Sequence, residues 1–127
     1  MKKIINTSKA PQAIGPYSQA ILINNTLYCS GQIGINPETN ILIKDNINNE
    51  TRTVIKNLLA ILKEADMTLE NVVKTTIFLR NMRDYDIINS VYNEYFKKNP
   101  PARETVEVSK LPKDMNVEIS IIAVKYD

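Results

Sequence analysis

Between residues 46 and 65, Val54, Leu58, Ile61, Leu62 and Ala65 return at intervals of three and four, with Ile55 and Leu59 beside them. That spacing lays an apolar stripe along one α-helix, and Asp45 or the asparagine after it is suited to cap its first turn. A second helical period, Tyr85, Ile88, Tyr92 and Tyr95 with Phe96, runs up to Pro100 and Pro101, which stop it. The remaining apolar runs read as strands. Residues 20–23 and 26–30 flank Asn24-Asn25, a pair that tolerates the backbone of a tight hairpin turn. The run 72–79 is rich in β-branched residues, and two further strands are expected near 103–108 and 116–124. The order is β-β-α-β-α-β-β, and residues 2–6 are compatible with one more short strand at the start.

Strand–helix–strand crossovers are right-handed, so both helices should cover one face of one sheet and leave the other bare. Alternation assigns the faces. Val117, Ile119, Ile121 and Ala123 form the more apolar set of the last strand and are expected to face the helices, with Val106 and Val108 as their counterparts in 103–108. Arg103, Thr105, Glu107, Glu118 and Ser120 would then converge on the bare face. Ile122, Val124, Val72 and Phe78 are expected there too. A half-apolar face without a cover invites association, so a second copy of the chain should cover it and a site would lie between subunits.

Composition narrows the chemistry. The 127 residues suit one domain with a substantial core, and the 43% apolar content without any membrane-length run suits a soluble globular protein. "MKKIINTSKAPQ" at the start has two lysines but no apolar signal region. Cys29 is the only cysteine, so neither an internal disulfide nor a cysteine-based zinc site can form, and a cytoplasmic setting is the expectation. A net charge of +2, with only Lys2-Lys3 and Lys97-Lys98 as basic pairs, argues against a nucleic-acid partner. There is no histidine, which removes the commonest general base and metal ligand. Taken singly, Arg103 reads as a solvated strand end, Glu118 as half of a structural ion pair, Tyr17 as a turn or core residue, and Gly31 as a bulge.

Together the motifs are specific. "IGPYSQA" (14–20), "SGQIG" (30–34), "VVKTTIFLRNM" (72–82), "NSVYNEYF" (89–96) and "PPAR-x-x-VEVSKLPKD-x-x-VEI" (100–119) resemble, in order and spacing, the Rid or YjgF family of reactive intermediate deaminases, in particular its RidA subgroup. The resemblance spans nearly the whole chain. It implies an α+β, chorismate-mutase-like fold whose last strand inserts between the first crossover strand and the middle one, and a homotrimer with sheet faces packed together and clefts at the subunit interfaces. It also implies hydrolysis of 2-imino acids, such as the 2-iminobutanoate and 2-iminopropanoate derived from enamines of PLP-dependent dehydratases, to 2-keto acids and ammonia, with neither cofactor nor metal. By resemblance Arg103 binds the substrate carboxylate, Glu118 activates water, and Tyr17 belongs to the catalytic site, while Ser30, Gly31, Asn89 and Thr105 line the ligand. Two alternatives stay open: a trimer that binds small carboxylates such as 2-keto acids without turnover, and an endoribonuclease or translation inhibitor. This chain departs from the family at Arg103-Glu104-Thr105, where the motif often reads Arg-Ser-Cys. Thr105 has no thiol, and Glu104 is expected on the helix side, where nothing in the sequence accounts for its charge.

Overall fold

In the computed structural model, which describes residues 1–126, the chain forms one six-stranded sheet in the order β1-β2-β3-β6-β4-β5. The strands are β1 (Lys2–Ile5), β2 (Ala20–Ile23), β3 (Thr26–Gln32), β4 (Val72–Leu79), β5 (Ala102–Glu107) and β6 (Val117–Val124). Helix α1 (Ile47–Glu64) lies between β3 and β4, and α2 (Tyr85–Phe96) between β4 and β5. β5 alone pairs in parallel, against β4, and every other neighbour is antiparallel. The late strand β6 sits between β3 and β4, as the family likeness implies.

Local chemistry explains the element ends. Asn24 takes a φ of 53° in the β2–β3 turn, a left-handed conformation that asparagine bears better than most residues. The Asn46 side chain accepts the Asn49 N–H at 2.8 Å and caps α1, satisfying one of the helix's orphan donors. The apolar stripes of α1 and α2 share a buried core with Val117, Ile119, Ile121 and Ala123 of β6 and Ile77 and Leu79 of β4. Both helices therefore serve a single core layer.

Register corrects three expectations about the faces. In β5, Arg103, Thr105 and Glu107 stand beside Thr75, Ile77 and Leu79 of β4, which are fully buried under the helices. Partners in register share a face, so Arg103, Thr105 and Glu107 lie on the helix side. Val106, beside Phe78, lies on the bare face. The apolar alternation of β5 misleads because the bare face is itself half apolar, and an edge strand contributes little to the core. Glu104 moves correspondingly to the bare face, where Lys74 approaches it at 3.3 Å and the Thr76 hydroxyl donates to it at 3.4 Å. Its charge is thus paired and exposed. Val72 is the third correction: a β-bulge between Val72 and Lys74 breaks the alternation and turns Val72 into the core.

What remains on the bare face is Phe78, Ile122, Val124, Tyr28 and Val106 among Thr76, Ser120 and Glu118. No helix of the described residues is long and apolar enough to cross a membrane.

Candidate functional site

The functional residues expected from the sequence fall into two clusters. The first surrounds Arg103. Its Nη1 donates to the Asn89 side-chain oxygen at 2.8 Å and its Nη2 to the Tyr85 hydroxyl at 2.9 Å. The guanidinium also lies over the Tyr92 ring, 4.9 Å from the centroid, and 5.7 Å from that of Tyr85, a cation–π arrangement. Tyr85, Asn89 and Tyr92 are spaced i, i+4 and i+7, so one face of α2 presents all three. Tyr92 is fixed in turn by a 2.8 Å hydrogen bond between its hydroxyl and that of Thr75. Burial raises the Tyr92 phenol above its ordinary value, against the lowering effect of that bond and of the Arg103 charge; the ring stays neutral and keeps its π face available.

Among the described residues no carboxylate pairs with Arg103. A guanidinium has five N–H donors, and neutral oxygens take two of them here. The rest could hold a small planar anion. Two residues along β5, the Thr105 hydroxyl points to the same side, is buried, and has no hydrogen-bond partner. A buried hydroxyl without a partner beside an unpaired guanidinium can accept a partner from outside the chain.

The second cluster surrounds Glu118. Its side chain lies over Gly31: a Cβ built there would stand 2.4 Å from Oε2 and 2.8 Å from the carboxyl carbon. Any side chain at position 31 would push the Glu118 carboxyl out of this place, so glycine is what lets it lie there. Burial raises the Glu118 carboxyl above its ordinary value, as desolvation does for any acid without a cation to offset it. Gly31 and Tyr17 line a common cavity of about 230 Å³. Next to Gly31, the Ser30 hydroxyl donates to the Ser18 carbonyl at 2.7 Å and ties β3 to the Tyr17 loop. Ser30 contributes structure through its side chain, and Tyr17 is exposed at the loop tip. Cys29, one residue earlier, is buried, and burial pushes its thiol up to about 12, which leaves no useful thiolate.

Within one chain the two clusters do not meet. Arg103 projects toward α2 and Glu118 toward the bare face, three β4 positions apart in register. Sequence reasoning chose these residues but put both on one face, and it missed Tyr85 and Tyr92. Their i, i+4, i+7 relation to Asn89 was the available signal.

The start of β6 has its own clamp. Glu50 of α1 is fully buried, and its side-chain oxygens accept the Asn116 N–H at 2.7 Å, the Val117 N–H at 3.0 Å and the Asn116 side-chain amide at 2.8 Å. Truncation by Glu50→Ala strands these donors, each at about 1–3 kcal/mol when buried. The expected result is a fall in Tm of about 10 °C by calorimetry, and an unchanged Tm would refute the clamp.

A single mixed sheet with two helices on one face and a half-apolar opposite face defines a class of small α+β proteins. Comparisons with known proteins agree. Residues 7–125 match the family model described as Endoribonuclease L-PSP, and the chain belongs to that family, the YjgF/Rid family. It is 49% identical to a RutC family protein of Pyrococcus abyssi, covering 98% of each chain. It is 43% identical to the human 2-iminobutanoate/2-iminopropanoate deaminase, over 98% of this chain and 91% of the human one. Among solved structures, a Rid-family protein of Yersinia pestis is 50% identical with a TM-score of 0.94, covering 98% of this chain and all of the other. E. coli TdcF, solved with bound serine, is 36% identical with the same TM-score over 98% and 99% of the two chains.

Proposed function

We propose that this protein is a deaminase that hydrolyses 2-imino acids to 2-keto acids and ammonia, working as a homotrimer in which Arg103 of one protomer faces Glu118 of the next. The observation that carries the reading is the half-buried Arg103 guanidinium without a carboxylate partner. Its complement, a carboxyl raised by burial, lies on the opposite face of the same sheet, so only association can bring the two together. The half-apolar bare face gives association its driving force. The names of the mammalian relatives, 43–46% identical, support this substrate class.

The reaction needs little beyond placement. The planar carboxylate of the imino acid takes two parallel charge-assisted bonds from Arg103. A water held by Glu118 attacks the imine carbon, and the electrons of its C=N bond move to nitrogen. Glu118 takes the water's proton and passes it to that nitrogen, giving the carbinolamine; Glu118 then carries the carbinolamine's hydroxyl proton to the same nitrogen, the C–N bond breaks as the C=O bond forms, and ammonia and the keto acid are released. Glu118 is suited to this because desolvation makes it a stronger base than an exposed carboxylate. Tyr17 orients the reacting group, and Gly31 lets the substrate approach β3 closely.

The test is purified protein added to a PLP-dependent serine or threonine dehydratase, with keto-acid release followed in time. Acceleration is expected, and no acceleration with either amino acid would refute the deaminase. The structure of TdcF with bound serine supports a second reading, capture of small amino or keto acids without turnover. Keto-acid binding without any acceleration would decide for it.

Position 105 separates mechanisms. In water attack assisted by Glu118 the Thr105 side chain only lines the ligand, so Thr105→Cys should leave turnover within a few-fold and Thr105→Ala should cost about 0.5–1.5 kcal/mol, one ordinary hydrogen bond. A gain of orders of magnitude from cysteine would instead demand a covalent thiol mechanism.

A further inference from the structure

A groove runs along the exposed flank of α1, on the side of the sheet opposite the Glu118 carboxyl. Its first part, about 660 Å³, lies between α1 and the segment after β3, with Lys9, Lys44, Arg52 and Lys56 in its lining. Its second part, about 720 Å³, follows the second half of α1 and is lined by Lys9, Lys56 and Lys63. Lys9 and Lys56 line both parts and so mark the junction. Either part has the volume of a small-molecule site.

The walls are held in place by the chain itself. The buried Asn57 amide donates to the carbonyls of Ile33 and Ile35 at 3.2 and 2.9 Å and ties the segment after β3 to α1. Within that segment the Ile43 N–H donates to the Gly34 carbonyl at 2.7 Å, and the Asn36 side-chain oxygen accepts the Glu38 N–H at 2.9 Å. Lys9 stands on a loop pinned by Gln19, whose amide donates to the carbonyls of Ala10 and Pro11 at 3.3 and 2.8 Å. A guest therefore has little of the groove to order.

Away from the junction the charges offset one another. Lys44 and Arg52 share the first part with Glu38 and Asp45, and Lys63 shares the second with Glu64 and Asp66. Arg52 is paired with Glu94 at 2.9 Å, and the Lys44 ammonium donates to the Asp114 carbonyl at 3.0 Å. Among the described residues neither Lys9 nor Lys56 is paired with a carboxylate. The positive surplus is thus confined to one point, where two ammonium groups line one space and favour an anion between them. A carboxylate is matched best by the fork of an arginine, and the arginine here is already engaged; two lysines act as point charges, which suit phosphate. Pro37 and Leu42 in the first part offer an apolar wall for the rest of the guest. A polymer such as RNA needs a basic track, and it would meet Glu38 and Asp45 on one side of the junction and Glu64 and Asp66 on the other.

We propose that the junction is a second binding site, for a small phosphorylated molecule whose phosphate lies between Lys9 and Lys56 and whose apolar portion rests on Pro37 and Leu42. The site stands apart from the imine reaction, since no residue placed around Arg103 or Glu118 lines it. Association through the bare face leaves it open, because α1 covers the other face of the sheet.

The experiment is isothermal titration of the full chain at low salt with phenyl phosphate, a phosphate on an apolar body, and with a single-stranded oligoribonucleotide. Phenyl phosphate should bind saturably at one site per chain. Combining Lys9→Ala with Lys56→Ala, both at exposed positions, should weaken it by about tenfold or more, the loss expected for a hydrogen bond between charged groups. Combining Lys97→Ala with Lys98→Ala removes the same charge elsewhere and should leave the affinity within a few-fold. Absence of saturable binding, equal weakening by the two double variants, or tighter binding of the oligoribonucleotide per phosphate would overturn the site.

Discussion

Glu118→Gln should lower turnover of imino acids by about 10²–10⁴-fold, the usual contribution of a positioned general base, while keto-acid binding stays within a few-fold because shape and hydrogen bonding survive. A binding protein without turnover would show no such split. Stability supplies a control of opposite sign. Burial raises the folded pKa of Glu118 above its unfolded value, so in the window between the two the folded state binds more protons than the unfolded chain, and stability is lost as pH rises through it. Above that window the wild type carries a desolvated charge that glutamine lacks. The variant should therefore melt at or above the wild-type temperature at pH 7 while being nearly inactive. For the wild type, turnover should fall as pH drops through the raised Glu118 value, an acid limb that the variant lacks. A variant that melts well below the wild type, or that keeps the acid limb, would remove Glu118 from the role of base.

Arg103→Ala is expected to cut kcat/KM by a similar or larger factor. Hydrogen bonds between charged groups are worth about 1.5–3 kcal/mol each, and losing two corresponds to about 10²–10⁴-fold. The loss should appear largely as a raised KM, since the carboxylate is remote from the bond that breaks. Arg103→Lys keeps the charge without the fork and should recover only part. Size-exclusion chromatography should show unchanged association, because the half-apolar face proposed to drive association lies on the other side of the sheet from Arg103. Near-wild-type kinetics for Arg103→Ala would refute the anchor.

The elements were legible because their signals are local. The period of α1, the Asn24-Asn25 turn and the β-branched run of β4 each announce themselves within a dozen residues, and their observed limits fall within a residue or two of expectation. Site residues were legible as types and motifs, but not as faces. The side on which Arg103 lies depends on its register against Thr75, a contact between residues 28 positions apart that no local alternation encodes. Val72 shows the same gap on a smaller scale, since a single bulged residue reverses the phase of everything before it. Tyr85 and Tyr92 read as core aromatics until β5 is placed on the correct side; only then does their face of α2 become the surface that holds the Arg103 guanidinium.

The place of β6 has a consequence for the order of events in folding. β3 and β4 never pair with each other, and each is joined to the sheet's other half only through β6. During synthesis β6 emerges after both of its neighbours, so the nascent chain carries two half-sheets with unpaired edges until about residue 124 leaves the ribosome. Such edges are templates for wrong pairings, and the late closure of long-range contacts slows folding. The protein therefore depends on its last strand for kinetic safety: chains truncated before Val117 should collect in aggregates instead of persisting as folded fragments, and slow translation would lengthen the period at risk.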